Sequence, residues 1–222
     1  MDFRLIYELF KKEIILELRQ KYALNGILLY VFSTLYIIFI GFQKITPEAW
    51  ITLYWIVILF ASVNAGAKSF IQEGKGRLLY YYGISSPQNI ILSKLLYNCI
   101  LIAVISLIAY IGFLVFFGNV VDKPWNFALI MLLGSTGLAG VFTMVSAIAS
   151  KARGSATLMT ILSFPVIIPQ LLLLIKLSRR AASMAISNIN FDIGYKELIG
   201  LSCINLIVVI VSFMLFPYLW RD

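Results

Sequence analysis

The chain of 222 residues has no histidine and only two cysteines, Cys99 and Cys203, which lie far from any C-x-x-C spacing. These absences exclude the usual Cys/His zinc sets and a disulfide framework. Charge is scarce as well, at 13% Asp, Glu, Lys and Arg, where a soluble domain carries roughly a quarter. No G-x-x-x-x-G-K-[ST] sequence occurs, and Gly74-Lys75-Gly76 has the wrong spacing and no preceding strand pattern, so the chain lacks a phosphate-binding loop for ATP hydrolysis. Period-2 alternation is missing from the apolar segments, which argues against a β-barrel.

Long apolar runs dominate instead: 61% of residues are hydrophobic. A bilayer core of about 30 Å needs about 20 apolar residues in a helix. Six windows free of Asp, Glu, Lys and Arg meet this need, namely Tyr22 to Gln43, Ala49 to Ala67, Leu95 to Val121, Pro124 to Ser150, Gly154 to Ile175 and Leu198 to Trp220. They predict an all-α integral membrane protein with six transmembrane helices in a single domain over residues 1–222. None of these windows brings together an acid, a base and a histidine, which argues against an intramembrane enzyme.

Met1 to Lys21 mixes four acidic with five basic residues, unlike a cleavable signal, so the chain is expected to keep its N-terminus. Phe3, Tyr7, Phe10, Ile14 and Leu18 recur at helical spacing between these charges. The pattern predicts an amphipathic interfacial helix over residues 1–21, with a plain extension of the first span as the alternative. If the N-terminus is cytoplasmic, 12 of the 18 Lys and Arg fall inside and 6 outside. The positive-inside rule then places both termini in the cytoplasm, and the net charge of +8 points to anionic lipid rather than nucleic acid.

Thr46-Pro47-Glu48 carries a capping hydroxyl, a proline for the first helical position and an acid for the first turn, so span 2 starts there. Trp50, Tyr54 and Trp55 are expected near the membrane interface, and the small residues Ala61, Ser62, Ala65, Gly66 and Ala67 are expected to pack closely at the other end. Lys68 to Lys94 is the longest charged, turn-rich interval, with Gly74, Gly76, the run Tyr80-Tyr81-Tyr82 and a Ser86-Pro87 helix start in which the Ser86 hydroxyl can cap. It reads as a cytoplasmic loop holding a short helix over Arg77 to Tyr82.

Span 4 carries Gly134, Gly137 and Gly140 on one broad face, which suits close helix or homodimer packing or a substrate path. The turn Lys151-Ala152-Arg153 is so short that spans 4 and 5 must be antiparallel neighbours. Pro165 and Pro169 should kink span 5, as a pore helix or as an inert bend. The segment 176–197 is read as an extracytoplasmic loop with a short helix near Ser178 to Ser187. Its Arg179-Arg180 pair suits lipid headgroups, an acidic partner or substrate carboxylates.

Three of these stretches carry a resemblance: Leu132-Leu133-Gly134-Ser135-Thr136-Gly137-Leu138, the basic turn Lys151-Ala152-Arg153-Gly154, and Ile161-Leu162-Ser163-Phe164-Pro165-Val166-Ile167-Ile168-Pro169 with its Pro-x-x-x-Pro. Together with Glu73, Gly76-x-Leu78, Pro87 and Lys94 in order, they make the chain similar to the CcmB family, the haem exporter B permease subunit of the cytochrome c maturation ABC transporter. Departures are Leu79, where many members have an acid, and the tyrosine run.

The resemblance implies a bacterial inner-membrane permease that is not itself an enzyme. It also implies a homodimer, a cytoplasmic ABC ATPase that binds the ATP, and a haem-handling membrane subunit. The ATPase would dock on a coupling loop with Glu73, Gly76, Arg77, Leu78, Ser86, Pro87 and Lys94. Haem is the implied cargo of the complex; without histidine this chain cannot offer iron an imidazole, so ligation would fall to a partner or to Met, Cys or Tyr. Two other readings stay open: an ABC exporter permease for a lipid, glycan or drug, and a non-transporting membrane scaffold.

Overall fold

A computed structural model describes residues 3–20, 22–42, 44–71, 86–151, 155–182 and 194–221. Seven helices account for nearly all of them: α1 (Phe3–Gln20), α2 (Tyr22–Gly41), α3 (Pro47–Ile71), α4 (Pro87–Phe117), α5 (Pro124–Lys151), α6 (Ser155–Ala181) and α7 (Tyr195–Arg221). No strand occurs among the described residues. Helices α2 to α7 are each long and apolar enough to cross a membrane, as the six uncharged windows predict.

Three helices begin at a proline, Pro47, Pro87 and Pro124, where the missing N–H has no partner to lose. At the first of these the Thr46 hydroxyl accepts the Ala49 N–H at 3.4 Å, as a cap. Helix α4 stops where Gly118 turns to φ 79°, a conformation that side chains disfavour, and its N–H closes the last turn on the Leu114 carbonyl at 3.0 Å.

The spans alternate in direction. One end of the bundle carries α1, the close of α3, the start of α4, the close of α5 and the start of α6, and is called proximal here; the other is distal. Helix α5 sits at the centre, in contact with α3, α4, α6 and α7, and is the most buried span. Helix α7 is the least buried, and among the described residues α2 rests mainly on α1, α3 and α4. Lipid tails are as apolar as the helices, so these contacts are held by close packing and interhelical hydrogen bonds.

A cluster of aromatic rings fills the distal half of the core. Trp50, Tyr54 and Trp55 of α3 are fully buried and stack or meet edge-on with each other and with Phe113 and Phe127. This corrects the expectation that the three rings of α3 sit at the membrane interface: they face α4, α5 and α6 rather than outward. Exposed distal aromatics include Trp125 at the start of α5 and Tyr195 at the start of α7. The small residues at the proximal end of α3 do pack closely, since a methyl group at Gly66 would come within 2.5 Å of the Phe142 Cβ.

Helix α1 differs from its expected stripe. Tyr7 points outward, and the face turned to the bundle carries Ile6, Leu9 and Glu13. Its main neighbour is α4, not α2. Leu9 packs on the cluster containing Ile90 and Ile91, Glu13 meets Lys94, and Glu17 lies beside Tyr97. Contacts that advance together by about one turn on both helices mean that α1 runs along the start of α4 in the same direction.

Candidate functional site

The proximal start of α4 is where the sequence places the coupling element. Glu73, Gly76, Arg77 and Leu78, with the expected Arg77 to Tyr82 helix and Leu79, lie outside the described residues. Helix α3 continues to Ile71 and α4 begins at Pro87, so both ends of the expected loop 68–94 belong to helices.

Ser86 is the N-cap of α4, but its hydroxyl makes no capping bond, contrary to expectation; its backbone is extended (φ −67°, ψ 146°), and its carbonyl accepts the Asn89 N–H at 3.0 Å. Pro87 takes the first helical position.

Lys94 is a further correction. It is not a loop residue open to a partner but a buried one, 1% exposed, two turns into α4. Its ammonium donates to Glu13 Oε1 at 3.3 Å, and the same oxygen holds Lys12 Nζ at 3.0 Å. Burial by itself would raise the Glu13 carboxyl; the Lys94 and Lys12 ammonium groups and their hydrogen bonds outweigh it and hold the group below its ordinary value.

A row of polar contacts follows α4 into the bundle. Asn98 Nδ2 donates to Thr143 Oγ1 of α5 at 2.7 Å. Two turns further, the Ser106 and Ser135 hydroxyls meet at 3.2 Å and Tyr54 Oη donates to the Ser106 carbonyl at 3.2 Å. Trp55 Nε1 donates to Ser178 Oγ at 2.9 Å, tying α3 to α6. In an apolar medium such bonds fix which helix faces meet.

The glycines of α5 face other helices of the same chain. A methyl at Gly134 would come within 2.5 Å of the Trp55 ring of α3, and one at Gly140 within 3.1 Å of Val208 of α7. At Gly137 it would overlap the Gln170 amide nitrogen of α6 and the Asn205 carboxamide oxygen of α7. Gln170 is fully buried and neither end of its amide has a hydrogen-bond partner among the described residues; Asn205 donates to the Leu133 carbonyl at 2.8 Å.

Helix α6 is continuous through Pro165 and Pro169. Both prolines lie on its outward face with Ile161, Phe164, Ile168 and Leu172, not on a path through the chain's own core. Of the basic turn, Lys151 closes α5, and Arg153 and Gly154 lie outside the described residues.

The outer loop begins later than expected. Helix α6 runs on through Lys176, Arg179 and Arg180 to Ala181, so the separate helix expected from Ser178 is, up to Ala181, the end of the span; residues 183–193 are not described. Arg180 has a carboxylate within the chain, since its Nη2 lies 2.8 Å from Glu197 Oε1, with Lys176 Nζ 3.0 Å from the same oxygen. Arg179 is exposed.

Glu13, Asn98, Gln170 and Asn205 were not singled out by the sequence. The available signal was polar side chains inside or beside apolar windows, which are expensive in lipid and therefore mark internal contacts. Among the described residues no group of three His, Cys, Asp or Glu could hold a metal ion. Cys99 is half-buried and Cys203 exposed, and they remain free thiols.

The arrangement is therefore a six-span bundle whose proximal end is tied by an ion pair and whose interior is tied by hydrogen bonds, without a catalytic constellation among the described residues. Comparison with curated proteins and with solved structures gave no match. Comparison with protein families matches the CcmB protein over residues 4–216, nearly the whole chain. The chain accordingly belongs to the CcmB family, the membrane permeases of haem export in cytochrome c maturation.

Proposed function

We propose that this chain couples ATP hydrolysis on a separate ABC ATPase to the export of haem, or to its release to a haem chaperone. The observation that carries this reading is the family match over residues 4–216. The complex would contain two copies of the chain in the bacterial inner membrane with both termini in the cytoplasm, an ATPase docked on each segment between α3 and α4, and a haem-handling membrane subunit. Since the chain has no histidine, stable iron ligation falls most simply to that subunit.

Closure of the ATPases would push the Arg77 to Tyr82 segment, with Glu73 and Pro87 fixing its ends, and the push would reach the bundle through α3 and α4. Support comes from the packing at these two entry points. Gly66 sits tightly on Phe142 of α5 at the close of α3, and Asn98 is bonded to Thr143 of α5 near the start of α4. A displaced helix end therefore meets a packed neighbour, which favours movement between discrete arrangements over gradual bending.

The test is co-purification of the complex in detergent, with partner identification, a haem absorbance spectrum and an ATPase assay. A haem-handling partner that releases haem on ATP hydrolysis is the expected result. Glu73→Ala and Pro87→Ala should lower ATP-dependent release while the chain still inserts. Full activity in both variants, or an ATP-driven complex without haem that moves a lipid or glycan, would overturn the reading.

A further inference from the structure

Whatever pushes the start of α4 also acts on α1. Helix α1 lies along the first turns of α4 through Leu9, Glu13 and Glu17, opposite the Ile90–Ile91 pair, Lys94 and Tyr97. The apolar part of this contact is shared, since the cluster that receives Leu9 also contains Ala147 of α5 and Phe216 of α7. The ionic part includes Glu13–Lys94, a salt bridge that joins α1 directly to α4.

Its setting gives it direction. The Lys94 side chain is 2% exposed and the Glu13 side chain 14%, so sliding α1 along α4 would draw a buried ammonium away from its carboxylate before water could replace it. An apolar contact tolerates a small slide, whereas this pair penalises it. We propose that Glu13 and Lys94 are positioning residues that lock α1 in register on α4, so that the two helices move as one unit when the ATPase acts. This rests on the ATP-driven reading given above and adds α1 to the moving part.

The test uses the purified complex with its ATPase and measures haem released per ATP hydrolysed. The double variant Glu13→Gln with Lys94→Met removes both charges of the pair, so that the ammonium losing the Glu13 carboxylate is that of Lys12, whose side chain is 28% exposed, and not that of buried Lys94. It is expected to lower that ratio about tenfold, the scale of a lost coupling contact. Lys94→Arg, which can still reach the carboxylate, should keep the ratio. A double variant with the ratio of the unaltered chain would overturn the inference, because a pair that only held the fold together leaves the ratio unmoved.

Hydrogen exchange on the unaltered complex decides the matter without any variant. Residues 3–20 and 87–97 should change protection together between the nucleotide-free and ATP-bound states. A change at 87–97 with 3–20 unmoved would overturn the lock and leave the ATP-driven reading standing. An unaltered chain that binds no ATPase would instead count against that reading itself.

Discussion

Trp55 and Ser178 meet across the bundle, the indole N–H donating to the hydroxyl at 2.9 Å although 123 residues separate them in sequence. Both are fully buried, and the contact ties α3 to α6 beside Gly134. Trp55→Phe should leave the Ser178 hydroxyl without this donor and lower stability by about 1–3 kcal/mol. Because the two residues share one bond, adding Ser178→Ala should cost less than the sum of the single changes. Thermal unfolding of the purified protein in detergent, as a double-mutant cycle, checks both statements.

Gly137 is predicted to be the least tolerant of the three α5 glycines toward bulk, since its missing side chain makes room for the Gln170 and Asn205 amides. Gly137→Val should cost about 1–3 kcal/mol or more by overpacking. Gln170→Leu should be close to neutral or stabilising, because the buried amide it removes has no hydrogen-bond partner at either end among the described residues. Unfolding midpoints that ranked these two variants in the opposite order would contradict the packing.

Glu13→Gln removes a carboxylate that holds the buried Lys94 ammonium and should lower stability, by up to about 3–5 kcal/mol. The same contact predicts a pH dependence. The Glu13 carboxyl titrates below its ordinary value in the folded chain, so its stabilising contribution is complete above the ordinary carboxylate range, about pH 4.3, and is lost as pH falls through the lowered value. Stability measured at descending pH should therefore drop on the acid side, and Glu13→Gln should flatten that part of the curve.

Glu197→Gln should do far less. Its partners Lys176 and Arg180 are 61% and 40% exposed, and pairs with solvent-facing cations contribute under about 1 kcal/mol. A thermal midpoint indistinguishable from that of the unaltered chain is expected, at low and at high salt.

The proline-rich face of α6 offers a further check. Pro165→Ala and Pro169→Ala each restore a backbone donor in a continuous helix at an outward-facing position, so neither should lower stability. A large loss in either would mean that the outward face is a packed surface whose shape the prolines set.

Six uncharged windows and the proline helix starts at Pro47 and Pro87 were legible because they depend on composition and local geometry. A bilayer demands long apolar segments, and proline favours the first helical position whatever surrounds it. The rings of Trp50, Tyr54 and Trp55 were misplaced for the opposite reason. Aromatic side chains near a span end suit an interface and a core equally well, and only the packing of α3 against α4, α5 and α6 settles which they occupy. Lys94 was misread in the same way, as the end of a charged loop, because its carboxylate comes from a residue 81 positions earlier.

The sequence by itself determined that this is an all-helical six-span membrane protein without a phosphate-binding loop or histidine, and it held enough of the family's pattern to be matched over residues 4–216. Tertiary structure alone decided that Lys94 is buried on Glu13, that Gly137 seats two amides from α6 and α7, and that Pro165 and Pro169 face outward. The division has a physical cause. Insertion into lipid is governed by each segment's own apolar length, whereas the partners of a polar group inside the bundle come from other helices and exist only once those helices have packed.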